Sequence, residues 1–319
     1  MAFIDKLKSG IPTLSYELFP PKNINGWATL YSTMAEISKL VPDYISVTYG
    51  AGGSTRSKTF DLVSRIQDEL GIETMAHLTC VGHSKDELKE ILQTLVKAGI
   101  RNVLGLRGDP PKGDTAFKPH PDGFAHASDL IAFIKGNFQL QIACAYYPEK
   151  HMEAASLESD IGYLKLKQDN GAQCTISQLF FDNETFYRFR DKCQAMGVTM
   201  PFVAGIMPVL NLNQLTRFRE LSGCMIPESM VTFLGSGKPE DVTLRGVEFA
   251  TAQCDDLLKN GIAGIHLYSL NQSQSSSRIT ENLRRLGHFP IAQADAKASP
   301  AKPNSASKPA SPMQSAAQP

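Results

Sequence analysis

The sequence predicts a closed (β/α)8 barrel. Three observations carry that prediction. Eight short apolar segments suited to β-strands alternate with segments of helical periodicity, mostly about 30 residues apart. Nearly every strand segment ends in a hydrogen-bonding or ionisable side chain, as expected of a fold whose site lies at the carboxyl ends of its strands. No complete G-x-G-x-x-G follows any strand, which argues against a doubly wound open sheet.

Taken in order, the first strand is Leu14-Ser15-Tyr16-Glu17-Leu18-Phe19, stopped by Pro20 and Pro21, which have no N–H for a ladder. Its one carboxylate, Glu17, reads either as a surface residue of an edge strand or as an acid kept protonated by burial. A helix over 26–40 leads to a strand over 44–49 and the loop Gly50-Ala51-Gly52-Gly53. Phe60, Val63, Ile66 and Leu70 mark the next helix, closed by Gly71. After a strand over 74–79, Ser84 and Glu87 form a capping box for a helix with Leu88, Ile91, Leu92, Leu95 and Val96 on one face. Gly99 ends it. A strand over 102–106 runs into Arg107-Gly108-Asp109-Pro110-Pro111, and the long polar loop to His126 is a candidate lid.

A helix over 127–135 and a strand over 141–146 lead into Tyr147-Pro148-Glu149-Lys150-His151. A helix over 156–170, a strand over 174–179 and a helix capped by Asn183 follow, the last carrying Phe186, Phe189 and Cys193. The remaining strands are 201–206 and 264–268; the remaining helices are 212–221, 242–259 and 275–286. Residues 1–290 therefore read as one barrel domain. Residues 291–319, rich in Ala, Pro, Ser and Lys, lack the apolar side chains needed to order themselves and read as a disordered tail.

Composition narrows the function. The 319 residues carry 32 basic and 32 acidic side chains, so no net charge recruits nucleic acid or an anionic membrane. With 42% hydrophobic and 20% charged residues the chain is an ordinary globular protein. No apolar run is long enough to span a bilayer, and the first eight residues read as a short amphipathic helix, so the expected compartment is the cytoplasm. Cys80, Cys144, Cys174, Cys193, Cys224 and Cys254 stand apart, without C-x-x-C, and no H-E-x-x-H occurs; no metal is expected. Gly235-Ser236-Gly237-Lys238 is no P-loop, because Pro239 replaces the required Ser or Thr.

The strand ends collect Glu17, Thr48, His77, Arg107 with Asp109, Tyr147 with His151, Gln178 and Tyr268. The set offers one candidate acid, a cation-plus-carboxylate turn, and aromatic and amide groups suited to a flat heterocycle.

Tyr16-Glu17-Leu18-Phe19-Pro20-Pro21, Ser46-Val47-Thr48-Tyr49-Gly50, His77-Leu78-Thr79-Cys80 and Leu106-Arg107-Gly108-Asp109 resemble the methylenetetrahydrofolate reductase family. Tyr147-Pro148-Glu149, Gln178-Leu179-Phe180-Phe181-Asp182 and Gly205-Ile206-Met207-Pro208-Val209 continue the resemblance in the same order. It implies an FAD-dependent barrel in which NAD(P)H is the reductant and 5,10-methylenetetrahydrofolate the substrate, often as a homo-oligomer. It implies Glu17 as general acid and Asp109 as a second catalytic group. It implies flavin contacts at Thr48, His77, Arg107, Gly108, Asp109, His126, Ala127, Tyr147, His151, Asp160 and Lys167, and substrate contacts at Gln178, Gln214 and Phe218.

Tyr163 and Leu166 depart from the Asn and Arg of some bacterial relatives, and Gln272 from an Arg. Eukaryotic relatives add a regulatory domain after the barrel, and the short tail here leads us to expect none. A pterin-dependent methyl-transfer barrel without flavin is the alternative.

Overall fold

The computed structural model describes residues 2–290 apart from Lys22, Ile24, 50–55 and 111–116. The glycine loop after the second strand, part of the candidate lid and the C-terminal tail lie outside the described residues. Eight parallel strands close in sequence order: β1 Thr13–Leu18, β2 Tyr44–Val47, β3 Thr74–Thr79, β4 Asn102–Leu106, β5 Gln141–Tyr146, β6 Cys174–Ser177, β7 Phe202–Ile206 and β8 Gly264–Tyr268. The predicted (β/α)8 barrel is therefore the architecture found. Helices α1 Phe3–Lys8, α2 Asn25–Ser38, α3 Arg56–Leu70, α4 Lys85–Lys97, α5 Ala127–Asn137, α6 Leu157–Asp169 and α7 Asn183–Ala195 are followed by α8 Asn213–Ser222, α9 Glu228–Gly235, α10 Val242–Lys259 and α11 Ser273–Arg285. No helix among the described residues is long and apolar enough to cross a membrane.

Side chains alternate between the barrel axis and the helical layer, as the pleat requires. Outward residues such as Leu14, Tyr16, Leu18, Ile45 and Val47 join the large core beneath the helices. Inward residues Tyr44, Met75, Leu104, Cys174, Ile176 and Val203 form a separate cluster with Phe3, Ile4 and Leu7 of α1. The N-terminal helix thus plugs the amino end of the barrel. It is pinned there by Phe3 N–H to Glu73 Oε2 at 3.1 Å and by Lys6 Nζ to Asp43 Oδ1 at 2.6 Å. Each of its three large apolar side chains contributes roughly 1.5–3 kcal/mol on burial.

The capping box of α4 forms as its sequence indicates: Ser84 Oγ accepts from Glu87 N–H at 3.2 Å and Glu87 Oε2 from Ser84 N–H at 2.9 Å. Two readings need correction. The cap of α7 is Asp182, whose Oδ1 accepts from Glu184 N–H at 3.1 Å, while Asn183 instead donates to Gln253 O and Asp256 Oδ2 of α10. A carboxylate one residue earlier reaches the free N–H groups of the first turn, and Asn183 is left for a tertiary bond. Helix α9 was not foreseen. It presents exposed Val231 and Phe233 as well as buried Met230 and Leu234, so its sequence lacks a clean apolar stripe.

Candidate active site

Inside the barrel, two imidazoles from β3 and β8 flank one oxygen of Glu17 on β1. Glu17 Oε2 lies 3.6 Å from His77 Nε2 and 3.9 Å from His266 Nε2. The Glu17 side chain is 20% exposed and looks into a cavity of about 370 Å3. Burial pulls His77 down to about 4, with Glu17 opposing and His266 assisting, so the ring is neutral at neutral pH. His77 Nε2 and Thr79 Oγ1, both on β3 and both buried, have no hydrogen-bond partner.

His266 sits beneath Glu17 and is 1% exposed. Its Nδ1 is 2.8 Å from Ser15 Oγ and its Nε2 3.2 Å from Ser46 Oγ. Sequence reading passed over these three residues as strand filler. The available signal was alternation: Ser15 and Glu17, Ser46 and Thr48, His266 and Tyr268 are pairs two apart, hence on the same inward face.

Tyr268 crosses the barrel and its hydroxyl donates to Ser177 O at 2.6 Å. Burial drives its phenol well above the ordinary range. Gly205 on β7 makes the crossing possible: a Cβ there would come within 2.5 Å of both the Tyr268 hydroxyl and Ser177 O. This explains why the seventh strand brings no polar side chain to the rim.

The next wall is the turn after β4. Gly108 has φ +89°, and a Cβ would meet Val81 Cγ1 at 2.5 Å, so both conformation and space require glycine. Asp109 beside it is exposed and Arg107 is half-buried. Arg107 makes a two-pronged ion pair with Glu153, at 2.5 and 2.9 Å, and lies over the Phe117 ring at 4.8 Å. Glu153 was not anticipated, and Arg107 holds its carboxyl below the usual range. Burial, with Asp109 adding, pushes the Tyr147 phenol up to about 12. Burial also lowers the neighbouring His151 imidazole, and the His151 backbone N–H donates to Asp160 Oδ2 at 2.8 Å.

Arg107, Tyr147 and His151 also line a second cavity of about 240 Å3, so the two spaces adjoin. His126, Ala127, Asp160 and Lys167 line this second space, with Lys167 Nζ donating to Ala145 O at 2.7 Å. The departing residue Tyr163 stacks on His126 at 6.4 Å.

The structure thus gathers eleven expected cofactor positions along two adjoining cavities: Thr48, His77, Arg107, Gly108, Asp109, Tyr147 and His151 on the first, and His126, Ala127, Asp160 and Lys167 on the second. Gln178 lines the first cavity, its Oε1 accepting from Leu179 N–H. Gln214 and Phe218, on α8, line neither. Gln214 Oε1 accepts from Leu210 N–H at 2.7 Å, and Phe218 is buried against Phe181. Cys80 is buried, and burial raises its thiol to about 11, so it is no thiolate nucleophile.

Fold and site together define a (β/α)8 barrel that turns a half-buried acid towards a two-part polar cavity on its carboxyl rim. A sequence model described as methylenetetrahydrofolate reductase matches residues 3–284, and the chain belongs to that family. It is 36% identical to the 5,10-methylenetetrahydrofolate reductase of Escherichia coli (strain K12), over 85% of this chain and 90% of that protein. It is 37% identical to "Methylenetetrahydrofolate reductase (NADH) 1" of Arabidopsis thaliana over 89% of this chain and 51% of that one, so it spans about half the length of this plant relative. Among solved structures, an uncharacterized Clostridium thermocellum protein described as binding two copies of 5-methyl-5,6,7,8-tetrahydrofolic acid superimposes with a TM-score of 0.63 at 15% identity, covering 90% of this chain and 100% of that one. This likeness shows the fold.

Proposed function

We propose that the protein reduces 5,10-methylenetetrahydrofolate to 5-methyltetrahydrofolate, with NAD(P)H as reductant and FAD as bound cofactor. The observation that carries this reading is Glu17, set at the cavity floor between two imidazoles inside a member of this family. FAD, when bound, supplies the hydride relay between the two substrates. The residues suit such a group. His77 Nε2 and Thr79 Oγ1 are buried without partners beside the first cavity, and bare Gly108 allows close approach to the backbone. These groups and Tyr147, which line the same cavity, would hold the cofactor's ring. His126, Ala127, Asp160 and Lys167 would hold the remainder along the second cavity.

The substrate's methylene bridge joins two nitrogens and accepts hydride poorly. Glu17 delivers a proton to one bridging nitrogen, which opens the ring to an iminium cation that accepts hydride readily. The Asp109 carboxylate, on the same rim, stabilises that cation. Gln178, which lines the first cavity, orients the substrate; Gln214 and Phe218 line neither cavity and would contact only a part of the substrate that extends beyond them towards α8. Arg107, paired with Glu153, would be the cation that meets the cofactor's phosphates.

The test is purification followed by anaerobic titration. The expected protein is yellow, bleaches with NADH or NADPH, and regains colour on adding 5,10-methylenetetrahydrofolate. A colourless protein that fails to bind FAD in equilibrium dialysis overturns the reading. Folate binding without flavin would favour the methyl-transfer barrel instead.

A further inference from the structure

Glu149, the last residue of the Tyr147-Pro148-Glu149 motif, has no part in the proposed reaction. It lies in the loop between β5 and α6 and is half-buried. Its Oε2 accepts from the Met225 N–H at 2.6 Å, while its Oε1 is buried without a hydrogen-bond partner. Burial raises this carboxyl above its ordinary value; the Met225 bond opposes the rise and Asp182 adds to it. A buried oxygen left unpaired costs stability, so packing alone does not account for an acid here.

The bond joins two parts of the rim that are 76 residues apart. Met225 lies in the turn between α8 and α9. On either side of it, Cys224 and Ile226 are buried in an apolar cluster with Leu215 and Phe218 of α8 and Leu179 of the loop after β6. That cluster is separate from the large core beneath the helices. Met225 itself is exposed, and the turn meets the β5 loop through its backbone N–H. The two loops touch a second time: Gly223 ends α8 at φ +70°, and a Cβ there would meet Met152 Cγ at 2.8 Å. Met152 follows His151, which lines both cavities.

Resting on the reading above, in which Gln214 and Phe218 meet the far part of the folate, we propose that Glu149 is a positioning residue for the substrate: it ties the end of α8 to the loop that carries Tyr147 and His151, and so fixes α8 relative to the cofactor cavity. A helix packed through a satellite cluster shifts readily with that cluster, because apolar contacts are not directional. A hydrogen bond to a carboxylate is directional and stronger than a neutral one. Glu149 places such a bond just beyond Gly223, where the helix closes. Beside the bond, a cavity of about 400 Å3 lined by Pro148, Leu157, Thr185 and Met225 gives the turn room to move once the bond is lost. A folate gripped by Gln178 then no longer meets Gln214 and Phe218 at the right distance.

Two measurements test the tie. In stopped-flow reoxidation of the reduced flavin, the dependence on 5,10-methylenetetrahydrofolate concentration separates affinity from limiting rate. Glu149→Ala is expected to weaken the apparent folate affinity about tenfold, the loss of one good hydrogen bond, with the limiting rate within about twofold of wild type. Glu149→Gln, which keeps an oxygen for the Met225 N–H, should stay within about threefold of wild-type affinity. In a Gln214→Ala background the Glu149→Ala loss should shrink, because the tie acts through α8. In hydrogen exchange, residues 213–226 are expected to exchange about tenfold faster in Glu149→Ala than in wild type. Unchanged exchange there, Glu149→Gln as damaging as Glu149→Ala, or losses that multiply in the double variant overturn the proposal. A wild type without folate turnover overturns the reaction reading instead, and the tie is then decided by hydrogen exchange alone.

Discussion

At the amino end of the barrel, Phe3, Ile4 and Leu7 of α1 close over Tyr44, Met75 and Val203. Further along the same strands stand Glu17, Thr48, His77 and Tyr268, facing a cavity. The inward alternation is the same at both ends, yet one end is apolar and shut while the other is polar and open. The contrast teaches that stability and chemistry are separated along the strand axis. The rim can hold unpartnered polar atoms such as His77 Nε2 because the opposite end and the outer core supply the cohesion.

The sharpest way to break this division is at Glu17. Glu17→Gln keeps the shape but cannot deliver a proton. Folate reduction is expected to fall by ~10²–10⁴ while reduction of the bound flavin by NAD(P)H persists, with each half-reaction followed by flavin absorbance. Equal losses in both would make Glu17 a packing residue of the cavity mouth.

At the other end, Phe3→Ala is expected to cost about 3–5 kcal/mol in urea unfolding, the usual range for emptying a buried aromatic site. Half-reaction rates at low temperature should stay within about twofold. A large rate loss would show that the plug also shapes the rim.

The smallest effect sharpens the comparison, because a rim residue itself carries a stability term. His77 is held at about 4 in the folded protein against an ordinary value of 6.5. The unfolded chain therefore takes up its proton first as pH falls, and stability present above 6.5 is lost down to about 4. Between about pH 7 and pH 5 the loss is roughly 2 kcal/mol. The variant His77→Asn should lose correspondingly less stability over that interval, by denaturant midpoints at each pH. An unchanged acid sensitivity would mean that the ring is protonated without penalty.

Much of this was legible in the chain. Strands β3, β4, β5 and β8 and helix α10 fall where their residue patterns place them, because short apolar runs between glycine stops and long periodic stretches are local signals. The Ser84 box is equally local. Asp182 and Asn183 are both good caps, and only the tertiary bonds from Asn183 to Gln253 and Asp256 decide between them. The site divides in the same way. Residues just past strand ends declared themselves, whereas His266, Ser15 and Ser46 lie inside strands and acquire meaning only when three neighbouring strands come into register. Glu153 was invisible because its partner Arg107 lies 46 residues away.

Tyr268 has a mechanical consequence. The ladder between β6 and β7 has only two register pairs, Thr175 with Phe202 and Ile176 with Val203, the fewest around the barrel. The phenol passes over this seam, through the gap that Gly205 leaves, and ties β8 directly to the end of β6. The cylinder is therefore fastened twice on this side, once by backbone and once by a side-chain strut that skips a strand. Strain arising at Gln178, the next residue after Ser177, has a rigid route to the floor beside Glu17, whose register partner is Tyr268 itself.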